Sequence, residues 1–295
     1  MKKLVQIGII LSGLGLIVIL NTCSNEVTKD AKGEKDEFYG TVNNFPDSLL
    51  LNENEAKIYT MPTPLQISSA IKIYGFKYNE TLLLPVSLQV NYTSNFAKAL
   101  NLGLRTIDLG YATVYANHSR ALDYLKNVKQ LTEELGISSY QKAQILERFE
   151  KNIQNQDSLF SIILESYRQG HDYFQNNGRE GLGLLILTGC FVEGLHLTMG
   201  IENEKNRSSA KYLNLIAQQK LYLQNLVELL TFYCNAKEVN LLIAKLNLLN
   251  GEFDKIQLNY NDPSTKPFAV KGKIPNEVYE GIAAKISALR LEIVG

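Results

Sequence analysis

The chain has 295 residues, 45% of them hydrophobic and 20% charged, with 30 basic residues against 30 acidic, three cysteines, three histidines and no tryptophan. A balanced charge without a basic stripe argues against nucleic acid, whose affinity comes largely from clustered Lys and Arg on phosphate. Three scattered histidines, His118, His171 and His196, argue against a multi-histidine metal centre.

The first element is a leader. Lys2 and Lys3 precede an apolar run from Leu4 to Leu20, the charged start and greasy middle of an export signal. The run sits at the short end of the roughly 17 to 25 residues a spanning helix needs. Gly8, Gly13 and Gly15 weaken it further as a helix, so it is read as cleaved. Leu20-Asn21-Thr22-Cys23 resembles the lipobox of bacterial lipoproteins, which implies that residues 1–22 are a signal peptide and that Cys23 is lipidated. Loss of Lys2 and Lys3 with the leader then gives a net charge of about minus two. Ser24 to Asp36 is charged and nearly free of large apolar residues, so it cannot bury enough surface to offset the entropy of ordering. Residues 23–60 are read as a tether and 61–295 as a single helical domain.

From Pro64 onward apolar residues recur every three or four positions, which places them on helix faces. The expected helices are Pro64 to Tyr74, Glu80 to Val90, Ser94 to Tyr115, Ala121 to Leu135, Ser139 to Ile153, Asp157 to Asn176, Arg179 to Met199, Tyr212 to Tyr233, Ala236 to Asn250 and Pro275 to Ile293. Gly136 is a candidate C-cap, and Gly251 to Ile274 is the longest irregular piece. Ten helices joined by short turns predict an all-α antiparallel bundle. An irregular solenoid of the tetratricopeptide kind is the alternative, but no unit recurs at the 34-residue period such arrays keep.

Two segments are apolar nearly all round and rich in glycine, Ala97 to Ala112 and Leu182 to Leu197. That composition predicts central helices that approach closely. Each carries an acid, Asp108 and Glu193, which must be paired if buried. Arg105, Tyr111 and Tyr115 are the candidate partners, and His196 follows Glu193 by one helical turn. Two readings of this cluster stay open: a small polar pocket, or a satisfied structural network. The Glu193-x-x-His196 pair matches half of a di-iron motif, but neither His118 nor His171 has a Glu three residues earlier, so no metal and no cofactor is expected. No Gly-x-Ser-x-Gly, His-Glu-x-x-His or phosphate loop occurs, and no catalytic residue is assigned. Cys190 and Cys234 are an even pair that an oxidising compartment could join, although both lie on apolar faces where free cysteine is common.

The leader, the tether, the stretch Ala99 to Tyr111 with its continuation to Ile137, and Gly189-Cys-Phe-Val-Glu-Gly194 together resemble all-helical outer-membrane lipoproteins of the Bacteroidetes type that have no assigned activity. The resemblance implies a fold and an address on the outer membrane, periplasmic or surface-facing, and passes on no catalytic residue. The leading functional expectation is a non-enzymatic interaction or scaffold module that engages another envelope protein. The alternative is a small-molecule or glycan-binding lipoprotein with its pocket between the central helices.

Overall fold

Helix ends in this chain are set by single residues. In the computed structural model, which describes residues 61–87, 92–137, 142–200, 209–259, 269–270 and 273–295, Thr63 opens the first helix with a reciprocal capping box to Gln66, and Pro64 takes the first helical position. Ser94, Asn117, Asn155 and Ser209 cap later helices by accepting a backbone N–H two turns' donors would otherwise leave unbonded.

Nine α-helices form among the described residues: α1 Pro64–Ile73, α2 Asn95–Val114, α3 His118–Glu134, α4 Lys142–Lys151, α5 Gln156–Asn176, α6 Glu180–Gly200, α7 Ala210–Tyr233, α8 Lys237–Phe253 and α9 Asn276–Val294. A 3-10 turn, Glu80–Leu82, precedes α2, and a two-residue antiparallel ladder, β1 Leu258–Asn259 with β2 Ala269–Val270, lies between α8 and α9. The segment expected to be irregular therefore contains a short ladder. The chain divides into two units, Met1–Asp47 and Ser48–Gly295, and every described residue falls in the second. The leader, Cys23 and the tether 23–60 lie outside the described residues.

Gly136 and Gly178 end α3 and α5 in the left-handed region, at φ +63° and +62°. In each case the next residue's N–H reaches back to the helix, Ile137 to the Thr132 carbonyl and Arg179 to that of Phe174, which closes a Schellman motif. Ala116, at φ 56°, makes the same turn after α2 without being glycine. These tight turns produce hairpins of sequence neighbours, α2 with α3 and α5 with α6.

The centre is the crossing of α2 and α6, the most extensive helix contact in the domain. A Cβ on Gly103 would lie 2.1 Å from the Ile186 carbonyl oxygen, and one on Gly189 would lie 2.0 Å from that of Leu100. Only glycine permits backbones this close. α6 is also the described helix long and apolar enough to cross a membrane, with a mean hydropathy of 1.6, but 72% of that stretch is buried inside the domain. Its apolarity is consumed by α1, α2, α5, α7 and α9, which all pack on it. Helices from both ends of the chain meet on α6, so the architecture is a bundle around a buried helix, and the stacked pairs of a solenoid are absent from the described residues.

One expected helix, Glu80 to Val90, does not form in its described part: residues 80–87 yield a single 3-10 turn, after which Leu83 is extended at ψ 155°. Pro85 disfavours helical geometry before it and supplies no N–H. The backbone around it is instead bonded to buried side chains: the Leu84 N–H donates to Asp108 Oδ2 at 3.3 Å, and the Leu84 carbonyl accepts from the Tyr124 hydroxyl at 2.8 Å.

Candidate functional site

Asp108 and Glu193 are fully buried, on α2 and α6 a little beyond the glycine crossing. Glu193 is met by a residue the sequence reading did not single out: Arg290 of α9 donates Nε to one carboxylate oxygen at 2.6 Å and Nη2 to the other at 2.7 Å. This is the two-pronged geometry in which a guanidinium neutralises a carboxylate most effectively. Nη2 also reaches the Leu82 carbonyl at 3.0 Å. Arg105 spends a guanidinium nitrogen on the Pro85 carbonyl, 2.9 Å away.

Asp108 has a different environment. Its Oδ1 meets no N–H or hydroxyl donor, and the neighbouring hydrogen-bonding group is the Glu193 carboxyl. Two carboxyls in contact away from water are stable when they hold a proton between them. Burial first, and the negative charge of Glu193 second, hold Asp108 well above the usual carboxylate range. Burial raises Glu193 as well, opposed by its hydrogen bonds to Arg290. His196, one turn along α6, bonds to the Leu82 backbone, and burial and the Arg290 charge lower its pKa from 6.5 to about 4. It is a neutral imidazole at physiological pH.

Of the six residues expected to form a polar cluster, the structure brings together Asp108, Arg105, Glu193 and His196, and adds Arg290 and Tyr124. Tyr111 and Tyr115 belong to a neighbouring aromatic group with Tyr78, their ring centroids 4.8 to 5.6 Å apart. Their hydroxyls bind the segment after α1: Tyr111 accepts the Asn79 N–H at 3.1 Å, and Tyr115 donates to the Phe76 carbonyl at 2.6 Å. The cluster is a bonded network that pins residues 76–85 across the core. Both Glu193 oxygens are used by Arg290, and among the described residues no three of His, Cys, Asp and Glu gather into a metal-holding group.

The disulfide expectation is corrected. Cys190 and Cys234 are both free thiols. Cys234 packs by Gly181, where an added Cβ would come within 3.0 Å of its sulfur. Gly181 and Cys190 are nine residues apart on α6, about 13 Å at 1.5 Å per residue, beyond the ~7 Å Cα separation a bridge can span.

The open space lies along another face of α2. A half-open pocket of about 420 Å³ is lined chiefly by α2, α3, α4, α5 and α6, with Pro64 and Tyr233 contributing from α1 and α7, and none of the six expected cluster residues lines it. Leu109, Leu125, Phe149, Ile162 and Leu184, all buried, form much of its wall. The hydroxyls on the wall are already committed to their own helices: Thr106 donates to the Leu102 carbonyl, Thr132 to that of Val128 and Ser166 to that of Ile162, each at 2.6 to 2.7 Å. The wall therefore makes little polar demand on an occupant. Cys190 is part of it, its Sγ 3.5 Å from the Gly103 carbonyl, and burial pushes its thiol up to about 12. Burial likewise raises the Tyr167 phenol. At neutral pH the wall offers a thiol and a phenol, so these two groups supply no ready anionic nucleophile.

The fold and this space define a helical bundle with a half-open apolar pocket. No family model, no curated protein and no solved structure matches the chain.

Proposed function

We propose that the chain is an envelope lipoprotein, held to a membrane by an acylated Cys23, whose helical domain binds an apolar small molecule in the cavity lined by helices α2 to α6. The single observation that carries this reading is the cavity itself. Its volume, about 420 Å³, falls in the range of small-molecule sites, roughly 300 to 1,000 Å³, and most of its wall is apolar. An apolar occupant takes that wall out of water, which drives binding. The polar cluster at Asp108 and Glu193 supports the fold, and the cavity supports the function.

Gly170 provides the test. It lies on the cavity wall in α5, and a Cβ there meets nothing within 4 Å, so Gly170→Leu adds apolar volume to the wall with no clash at Cβ. The mature chain from residue 23 carrying Cys23→Ser, which has neither the apolar leader nor an acyl anchor and hence needs no detergent, is titrated with the neutral dye N-phenyl-1-naphthylamine. Saturable one-to-one binding, weakened at least about tenfold, or ~1.4 kcal/mol, by Gly170→Leu with helicity unchanged, is expected. Equal fluorescence from both proteins would sink the reading.

A second reading, the interaction module, is favoured by a separate surface. Leu241 and Leu248, two turns apart on α8, are 55% and 65% exposed, and Leu291 on α9 is 69% exposed. The ion pair of Lys245 with Glu292 bridges the two helices between them. Leu241→Glu with Leu248→Glu is expected to abolish site-specific crosslinks from α8 to an envelope protein while leaving dye binding intact. Unchanged crosslinks in that variant would remove this second role.

A further inference from the structure

The cavity has a direction. Along α5 its wall runs from Ile162 and Ile163 through Ser166 and Tyr167 to Gln169, His171 and Gln175, with Tyr173 and Phe174 beside the last of these. Thirteen steps of 1.5 Å make this a trough on the order of 20 Å long. α6 returns from the turn at Gly178, so its wall residues are met in reverse order, Glu180 first, then Leu184, Ile186 and Leu187, and Cys190 deepest. α3 repeats the trend, from Leu125 and Val128 to Lys129 and Thr132.

These three gradients point the same way. The Leu135 carbonyl at the end of α3 accepts from Arg179, 2.9 Å away, and the Gly136 carbonyl accepts from the Tyr173 hydroxyl at 3.2 Å. The polar end of α3 is thereby fixed beside the α5–α6 turn, where the polar ends of the other two helices also lie. Gln175 at that end is exposed and Lys129 half-buried, while Leu125, Ile162 and Leu184 are buried; Ile186 and Leu187, farther along α6, are half-buried. The cavity is a long, partly open apolar trough whose charged and amide side chains are gathered at one end.

From this polarity we infer that the occupant is a single-chain amphiphile, its acyl chain lying along α5 toward Ile162 and Leu109 and its polar head at Lys129, Gln175 and Glu180. A compact hydrophobe would leave the groups at the polar end without a purpose and the long axis unfilled. A two-chain lipid needs a wider space than one trough between hairpins provides. The inference rests on the cavity being a binding site at all, and it adds the chemical class and the orientation. A free fatty acid and a lysophospholipid present the same chemistry, one chain and one polar head.

The experiment is displacement of bound N-phenyl-1-naphthylamine from the mature chain, residue 23 onward with Cys23→Ser, by hexadecanoate, by a lysophosphatidylethanolamine and by phenanthrene. Displacement by either amphiphile at a concentration at least about tenfold lower than phenanthrene requires, a difference of ~1.4 kcal/mol, supports the proposal, and the better of the two tells a free acid from a lysolipid. Dye that binds but yields no more readily to either amphiphile than to phenanthrene overturns the amphiphile and leaves the binding role standing. Orientation has its own readout. A chain reaching the inner end covers the Cys190 thiol, so hexadecanoate is expected to slow its alkylation by N-ethylmaleimide at alkaline pH severalfold. An unchanged alkylation rate at saturating hexadecanoate overturns the inward orientation of the chain.

Discussion

Arg290 decides the state of two buried acids from the last helix of the chain. Its side chain is 12% exposed and that of Glu193 is fully buried, a setting in which removing one partner strands a charge and costs about 3 to 5 kcal/mol. Arg290→Met is expected to lose that amount in urea denaturation, and Arg290→Met with Glu193→Gln to recover part of it. A double variant no more stable than the single one would show that the pair contributes no mutual interaction. The pH response follows from the shifted groups. Asp108, raised above 3.8, contributes stability at acidic pH that is lost as pH rises through its folded value. His196, lowered from 6.5 to about 4, contributes stability above 6.5 that is lost as pH falls toward 4. The two slopes oppose each other in the wild type. Asp108→Asn removes one opposing acid: its unfolding free energy is expected to fall on acidification between 6.5 and about 4, and adding His196→Gln to make that fall smaller, an equal fall in both sinking the histidine's part.

Asp108 and Glu193 were legible as buried acids because each interrupts an apolar helix. Arg290 was not, since it stands 97 residues from Glu193 and reads as one charged position on an amphipathic helix. A signal was nevertheless present. Arg290 lies four residues after Ile286 and three before Ile293, on the face that buries both, where an arginine needs an acid to meet.

At the scale of the element, the crossing of α2 and α6 was readable from glycine spacing, because backbone contact leaves a compositional mark. Gly103→Ala tests it. The added methyl meets backbone atoms of Ile186, Gly189 and Cys190 between 2.1 and 2.8 Å, none of which can swing aside as a side chain would. Overpacking of this kind costs typically 1 to 3 kcal/mol, and a loss at or above that range, measured by thermal unfolding, is expected. A neutral effect would mean that the helices can separate freely. The segment Glu80 to Val90 shows the opposite limit of periodicity. Its apolar spacing fits a helix, but Pro85 and the demand of Asp108, Arg105 and Tyr124 for backbone partners outweigh a weak local preference. The cavity left the faintest trace. Apolar residues that face an empty space and those that face a neighbour follow the same period, and only Gly170 hints that α5 keeps a side clear.

Across the whole molecule, the domain is held together by contacts between distant parts of the chain. Asn101 of α2 donates to the Ile293 carbonyl at 2.8 Å, and the hydroxyls of Tyr212 and Tyr279, 2.9 Å apart, reach the Thr198 and Met199 carbonyls that end α6. α7 and α9 close around the end of the central helix, while the cavity is built from α2 to α6. The half that binds and the half that locks are therefore consecutive in sequence. Filling the cavity is expected to shift stability and ligand affinity together, and altering the exposed leucines of α8 to shift neither.

The ion pair at Arg290 ties burial of the central helix to the last one. Glu193 stands 97 residues before its counter-charge, and without Arg290 α6 is buried only at the expense of an unmatched carboxylate. The greasiest helix therefore depends on the final turns of α9. A product truncated before Leu289 is expected to be digested rapidly by protease and to bind hydrophobic dyes diffusely, although every residue of the cavity wall is present. A protease-resistant truncated product would show that the core forms without its last charge.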